Sequence, residues 1–169
     1  MKTKLVAIVL SLFVSVTVFA QKYAYVDTKY ILENLDEYKE AQRQLDELSE
    51  KWQKDLEQML STLETKRASY EAEKALLLDE QKVAREKELN DLQNELLEFQ
   101  KKKFGVGGEL FLKRQQLIEP IQDKIYKEIK NIAESGNYSF IFDSAMQSNI
   151  LYADKKLDKS DLVLRNLKK

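Results

Sequence analysis

Apolar residues recur along most of this chain at helical spacing. Tyr38, Ala41, Leu45, Leu48 and Trp52 are separated by steps of 3, 4, 3 and 4, the a/d seam of a coiled coil. The next step, to Leu56, is 4 instead of 3, and Met59, Leu63 and Tyr70 then continue in heptad phase. That extra residue is a stutter, which locally unwinds a supercoil. A second seam runs through Leu89, Leu92, Leu96, Phe99, Val106 and Leu110, with Lys103 at one slot. Extended forward, the first seam falls on positions 84 and 91, one residue out of phase with the second. The phase breaks between Leu78 and Leu89.

The residues between the seam positions favour helix as well. From Met1 to Phe104 there is neither glycine nor proline, and from Glu37 onward Glu, Lys, Gln and Leu dominate. One straight helix over residues 37–104 would span roughly 100 Å at about 1.5 Å per residue, with half its apolar stripe facing water. Folding back at the phase break lets the two stripes cover each other. Asp79, just after Leu76-Leu77-Leu78, is the expected cap of the returning helix, and the tip is placed at residues 75–82. Such a return sets Gly105, Gly107 and Gly108 level with Trp52, and Pro120 level with Glu37. Either the indole packs over a stretch that lacks side chains, or the glycines loosen the returning helix.

Short β-like segments flank this tract. Tyr23-Ala24-Tyr25-Val26-Asp27 reads as a strand, followed by a short helix capped by Asp27 or Thr28. Beyond Pro120, Ile121, Ile125, Ile129 and Ile132 form an isoleucine stripe that stops at Ser135-Gly136-Asn137. Tyr138–Asp143 is the strongest strand, and Asn149–Tyr152 is a shorter one. A final helix capped by Asp158 or Ser160 carries Leu162, Val163, Leu164 and Leu167. The predicted fold class is α+β, predominantly α: a long antiparallel coiled-coil helical hairpin on a small β-containing oligomerisation body. The arm is residues 37–120, and the body is residues 21–36 and 121–169. A body of roughly 60 residues buries too little surface to stand alone without disulfides, metal or partners. Its aromatic strands also leave edges that need covering. Oligomerisation answers both, with Tyr23, Tyr25, Val26, Phe140, Phe142 and Ile150 as the candidate contact residues; client-binding residues stay unassigned.

Lys2 and Lys4 precede an apolar stretch from Leu5 to Phe19, and Val18-Phe19-Ala20 offers a cleavage site. Residues 1–20 are therefore expected to be a cleaved signal peptide rather than a membrane anchor, since Ser11, Ser15 and Thr17 interrupt a stretch shorter than a typical span. A cut after Ala20 leaves 149 of the 169 residues. Without Lys2 and Lys4, 26 of the 28 basic residues remain against 29 acidic ones, a net charge of −3. No basic stripe favours nucleic acid. The chain has no cysteine, so packing alone must stabilise an exported protein, and no histidine, which removes the commonest general base and metal ligand. Arm carboxylates sit in solvated faces with lysines four residues away, such as Glu47 with Lys51. Gly105-Val106-Gly107-Gly108 lacks the preceding strand and the Lys-Ser/Thr of a phosphate loop. Asp27, Asp143 and Asp154 read as strand-end caps rather than a cation site. No enzyme, cofactor or metal is expected.

Taken in order, Ala24-Tyr25-Val26-Asp27, the long helical tract, Pro120-Ile121, Tyr138-Ser139-Phe140-Ile141-Phe142-Asp143, Ile150-Leu151-Tyr152 and Asp158-Lys159-Ser160 with Val163 resemble the Skp (OmpH-like) periplasmic chaperones. The resemblance covers essentially the whole mature chain, and it rests on the order and spacing of short motifs. It implies a periplasmic homotrimer whose hairpin tentacles enclose a cavity, holding unfolded outer-membrane β-barrel polypeptides without ATP. Well-known members are strongly basic, whereas this chain is slightly acidic, so no lipopolysaccharide- or membrane-contacting residues are carried over. Two rival readings are a periplasmic coiled-coil adaptor or spacer docking a partner through the tip, and a structural protein that self-associates into arrays. The adaptor reading predicts a specific exposed patch around Leu76-Leu77-Leu78.

Overall fold

The computed structural model describes residues 21–145 and 150–169; the expected leader, residues 1–20, lies outside them. Strand β1 (Tyr23–Val26) leads into a short helix α1 (Thr28–Glu33). Asp27 has extended backbone, and its Oδ1 accepts the Tyr30 N–H at 2.9 Å, so it is the cap that its position between strand and helix suggests. Helix α2 (Asp36–Glu73) then runs for 38 residues without interruption. Helix α3 (Asp79–Phe104) follows a turn at residues 74–78, and α4 (Glu109–Gly136) follows a break at residues 105–108. Strand β2 (Phe140–Asp143), a 3-10 turn (Lys155–Leu157) and α5 (Ser160–Leu167) complete the chain.

Helix α3 returns along α2. Arg85 lies 4.0 Å from Glu73, Tyr70 donates to Glu86 at 2.6 Å, Lys66 pairs with Glu88, and Arg67 donates to Gln93 at 3.3 Å. Further along, the rings of Trp52 and Phe104 meet edge-on with centroids 6.1 Å apart. At the turn, Leu78 rather than Asp79 occupies the cap position, and its N–H donates to Gln81 Oε1 at 3.0 Å. Asp79 sits one residue inside the helix, where its charge still complements the exposed N–H groups of the first turn.

Two sequence expectations are corrected here. The heptad count places Val106 on the second seam, yet it is fully exposed. Gly105 ends α3, so the 3-4 spacing has no helix to act on at that point. Among the described residues there are two strands, not three: Ile150–Tyr152 has no ladder, and Asn149 lies outside the described residues. A strand needs a hydrogen-bonding partner, and β1 is already paired with β2, with a single further bridge among the described residues, from Tyr25 to Asp158.

The core lies where the two chain ends meet. Val26, Ile31, Leu35, Ala41, Ile121, Ile125, Ile132, Val163 and Leu164 form one buried cluster. The isoleucine stripe of α4 runs through Pro120, which lies inside the helix, and fills the space between α1, the start of α2 and α5. Asn137, not Gly136, takes the left-handed conformation that stops α4, with φ of 52°. Hydrogen bonds then tie distant segments together. Asp143 accepts the Thr28 N–H at 3.2 Å, the Thr28 hydroxyl at 2.6 Å and the Ala145 N–H at 2.9 Å. The Asp27 N–H donates to Ser160 Oγ at 2.9 Å, and that hydroxyl donates to Asp158 Oδ1 at 2.6 Å. Lys159 holds the cap position of α5, but Asp158 Oδ1 accepts the Ser160 N–H at 2.8 Å.

Candidate assembly surface

Strands β1 and β2 run parallel, with Tyr23 opposite Phe140 and Tyr25 opposite Phe142. Side chains alternate across a strand, so this register divides the sheet into two unlike faces. Ala24, Val26 and Ile141 turn inward, and Val26 is 2% exposed. Tyr23, Phe140 and Phe142 turn outward and stack on one another, with centroid separations of 6.0 to 6.5 Å. They remain 41%, 56% and 49% exposed. A two-stranded sheet with three stacked rings open to solvent has its apolar face uncovered, and large uncovered patches mark interaction sites.

An open groove of about 730 Å³ adjoins these rings, lined by Tyr23, Tyr25, Phe142, Ile150, Tyr152 and Leu157 among others. Removal from water, with Asp158 and Asp154 close by, raises the Tyr25 phenol above its ordinary value. Of the six residues singled out from the sequence, five gather here: Tyr23, Tyr25, Phe142 and Ile150 on the groove, and Phe140 stacked beside it. Val26 does not; it faces the chain's own core. Leu157 was missed, because a lone leucine in a lysine-rich turn carries no periodic signal. The groove's apolar lining includes Leu151 and Tyr152, which are almost wholly exposed.

The aspartates expected as caps act as caps. Asp27 and Asp143 serve α1 as described, and Asp154 Oδ1 accepts the Lys156 N–H at 3.0 Å. Among the described residues no group of three or more acidic side chains is placed to hold a metal ion. No described helix is long and apolar enough to cross a membrane.

The sequence pattern of the family described as "Outer membrane protein (OmpH-like)" matches residues 22–167 of the chain. The chain belongs to the Skp (OmpH-like) family of periplasmic chaperones. Its role is that of a periplasmic chaperone and not of an enzyme. The fold agrees with that of a solved OmpH-like protein from Caulobacter crescentus CB15, described as an outer membrane chaperone. The two share 12% identity over 87% of this chain and 83% of that one, with a TM-score of 0.71. No curated protein matches the sequence. Across so low an identity the OmpH-like architecture persists while most side chains differ.

Proposed function

We propose that the mature protein is an ATP-independent holdase that takes up unfolded outer-membrane β-barrel polypeptides and keeps them from aggregating. Three chains assemble through residues 21–36 and 121–169, and the doubled helical segment of each, residues 37–120, projects as a coiled-coil tentacle around a common cavity. The signal peptide is removed after Ala20. The observation that carries this reading is the exposed Tyr23–Phe140–Phe142 face beside the unpaired Ile150–Tyr152 segment. An uncovered aromatic sheet and an apolar segment without a ladder on the same small body are what neighbouring copies would cover.

Holding follows from the arms. Weak contacts spread along several arms give avidity without any single tight site. A client that stays disordered loses little conformational entropy on entry. The test is to dilute a urea-unfolded outer-membrane barrel into buffer with one trimer per client and to follow light scattering. Suppressed scattering is expected; scattering equal to that with a control protein would overturn the holding role. Mass measurement in solution tests the trimer independently.

A second reading has its own observation. Leu76 and Leu78 are 87% and 72% exposed at the turn, with Val83 nearby, as a tip that docks a partner would require. Replacing both leucines with serine separates the two. A docking spacer loses its activity, whereas a cavity-based holdase suppresses aggregation as before.

A further inference from the structure

The returning path of the helical segment is broken where the outgoing path is not. Helix α3 stops at Phe104 and α4 starts at Glu109, while α2 passes the same level unbroken. The Trp52–Phe104 contact fixes that level, and the stutter between Trp52 and Leu56 lies on α2 beside it. Two packed helices can bend together only if one path lengthens relative to the other, and a helix holds its rise near 1.5 Å per residue. A short non-helical link can change length where a helix cannot. The underwound turn at the stutter is where α2 bends with least loss.

The link has a fixed resting shape. A Cβ at Gly105 would lie 2.3 Å from the Lys101 carbonyl oxygen. One at Gly108 would lie 2.9 Å from the carbonyl oxygens of both Gly105 and Lys102, and Gly107 has a left-handed φ of 71°. Lys103 reaches across it. Its side chain is only 18% exposed, and its ammonium lies 2.5 Å from Glu109 Oε2 on the far side of the break. The same ammonium sits 4.6 Å from the centroid of Trp52 on α2 and 5.8 Å from that of Phe99 on α3. Lys102 adds a longer contact to Glu109 at 3.8 Å. One partly desolvated cation therefore joins all three helices at the single level where the return is interrupted.

We propose that residues 105–108 are an expansion joint, and that Lys103, seated on Trp52 and paired with Glu109, is the latch that holds it straight. Releasing the latch lets the distal part of α2 and α3 swing as a unit relative to α4. Joined to the holding role, on which this consequence alone rests, an unlatched joint widens the space available to a client.

The native chain has no cysteine, so paired labels can be placed cleanly. Thr65→Cys with Gln116→Cys spans the joint, and Ala72→Cys with Gln100→Cys lies wholly on its distal side. Spin-labelled chains are diluted with excess unlabelled protein, and distance distributions are measured by pulsed electron resonance without client. Lys103→Gln is expected to broaden the joint-spanning distribution, raising the bent population about tenfold through joint loss of a cation–π contact and an ion pair, and Glu109→Gln, which removes the ion pair alone, to broaden it less. The distal pair should stay unchanged, and Lys103→Arg should keep the spanning distribution narrow. An unchanged spanning distribution in Lys103→Gln overturns the latch. So does equal broadening of both pairs, which reports loosened helices, or a Lys103→Arg variant as broad as Lys103→Gln. Alanines at the glycines are poor probes, because at Gly105 and Gly108 they clash with the resting backbone and at Gly107 they meet a left-handed φ. Since no client is present, failure here is distinguishable from failure of the holding assay.

Discussion

Ile121, Ile125 and Ile132 lie on one face of α4 and all are buried, while Leu89, Leu92 and Leu96 repeat at similar spacing on α3 and none is. The difference is the number of neighbours. Helix α4 packs against α1, α2, α5 and β2, whereas α3 meets α2 along its length and α4 only near the break. One neighbour covers a narrow seam; several close a core. The polar contacts divide in the same way. In the body, carboxylates accept backbone N–H groups and fix strand ends. In the distal segment they pair with side chains across the helices, at Tyr70–Glu86, Lys66–Glu88 and Arg85–Glu73. The body is thus held by a shared buried cluster, and the distal segment by a narrow seam through Trp52, Leu63 and Tyr70 flanked by polar contacts that can exchange with water.

That contrast is broken most readily at Ile125. Ile125→Ala leaves a cavity in a side chain that is 1% exposed, and the expected loss is about 2–5 kcal/mol in denaturant unfolding. A loss near that of an exposed site would show the body to be no better packed than α3. Next comes Asp143→Ala, which strips a charged acceptor from three donors at the β2–α1 junction and should cost about 1.5–3 kcal/mol. Tyr70→Phe is expected to do less. It should speed amide exchange a few-fold in α3 near Glu86 while leaving α4 and α5 unchanged, as local opening predicts. Accelerated exchange in the body would mean that the two regions unfold as one.

Acid sharpens the comparison by the smallest step. Bonding to Lys66, with help from Arg85, holds the Glu88 carboxyl below its ordinary range. Hydrogen bonds from Arg43 and then Gln44 bring Glu40 down to about 2. Both values are depressed on folding, so their stabilisation is complete above the ordinary glutamate range and is lost as pH falls through the lowered values. These groups are exposed and screened, so the effect is modest. Titrating from about pH 5 to about pH 2 while following amide exchange should show α2 and α3 loosening. Exchange independent of pH, after correction for its intrinsic rate, would remove the electrostatic part of the account.

Much of this was legible in the sequence because it depends on neighbours in sequence. The helices follow from long runs without glycine or proline, and Asp27 and Asn137 announce a start and a stop through local backbone chemistry. The expected tip, residues 75–82, overlaps the turn at residues 74–78, whereas the phase break counted from the seams, between Leu78 and Leu89, falls after it. The rest depends on what lies alongside. Ile150-Leu151-Tyr152 has strand composition, but composition supplies no partner, and among the described residues the ladder does not form. Val106 fits the heptad count yet falls where glycine backbone geometry ends the helix. Val26 alternates with Tyr23 and Tyr25 in a way that looks interfacial until the parallel register shows which face meets the core. Lys103 fills one slot of an apolar seam without a reason in the sequence, because only the fold places Trp52 beneath it.

The parallel pairing of β1 with β2 joins residues 23–26 to residues 140–143. A chain emerging from its N-terminus exposes the first strand long before its mate exists, and the docking of Val163 and Leu164 comes later still. Helices α2 and α3 can zip as they appear, since their contacts are close in sequence. During export the protein is therefore itself a polypeptide with a sticky leading end, uncovered until residues 140–143 arrive to pair with it.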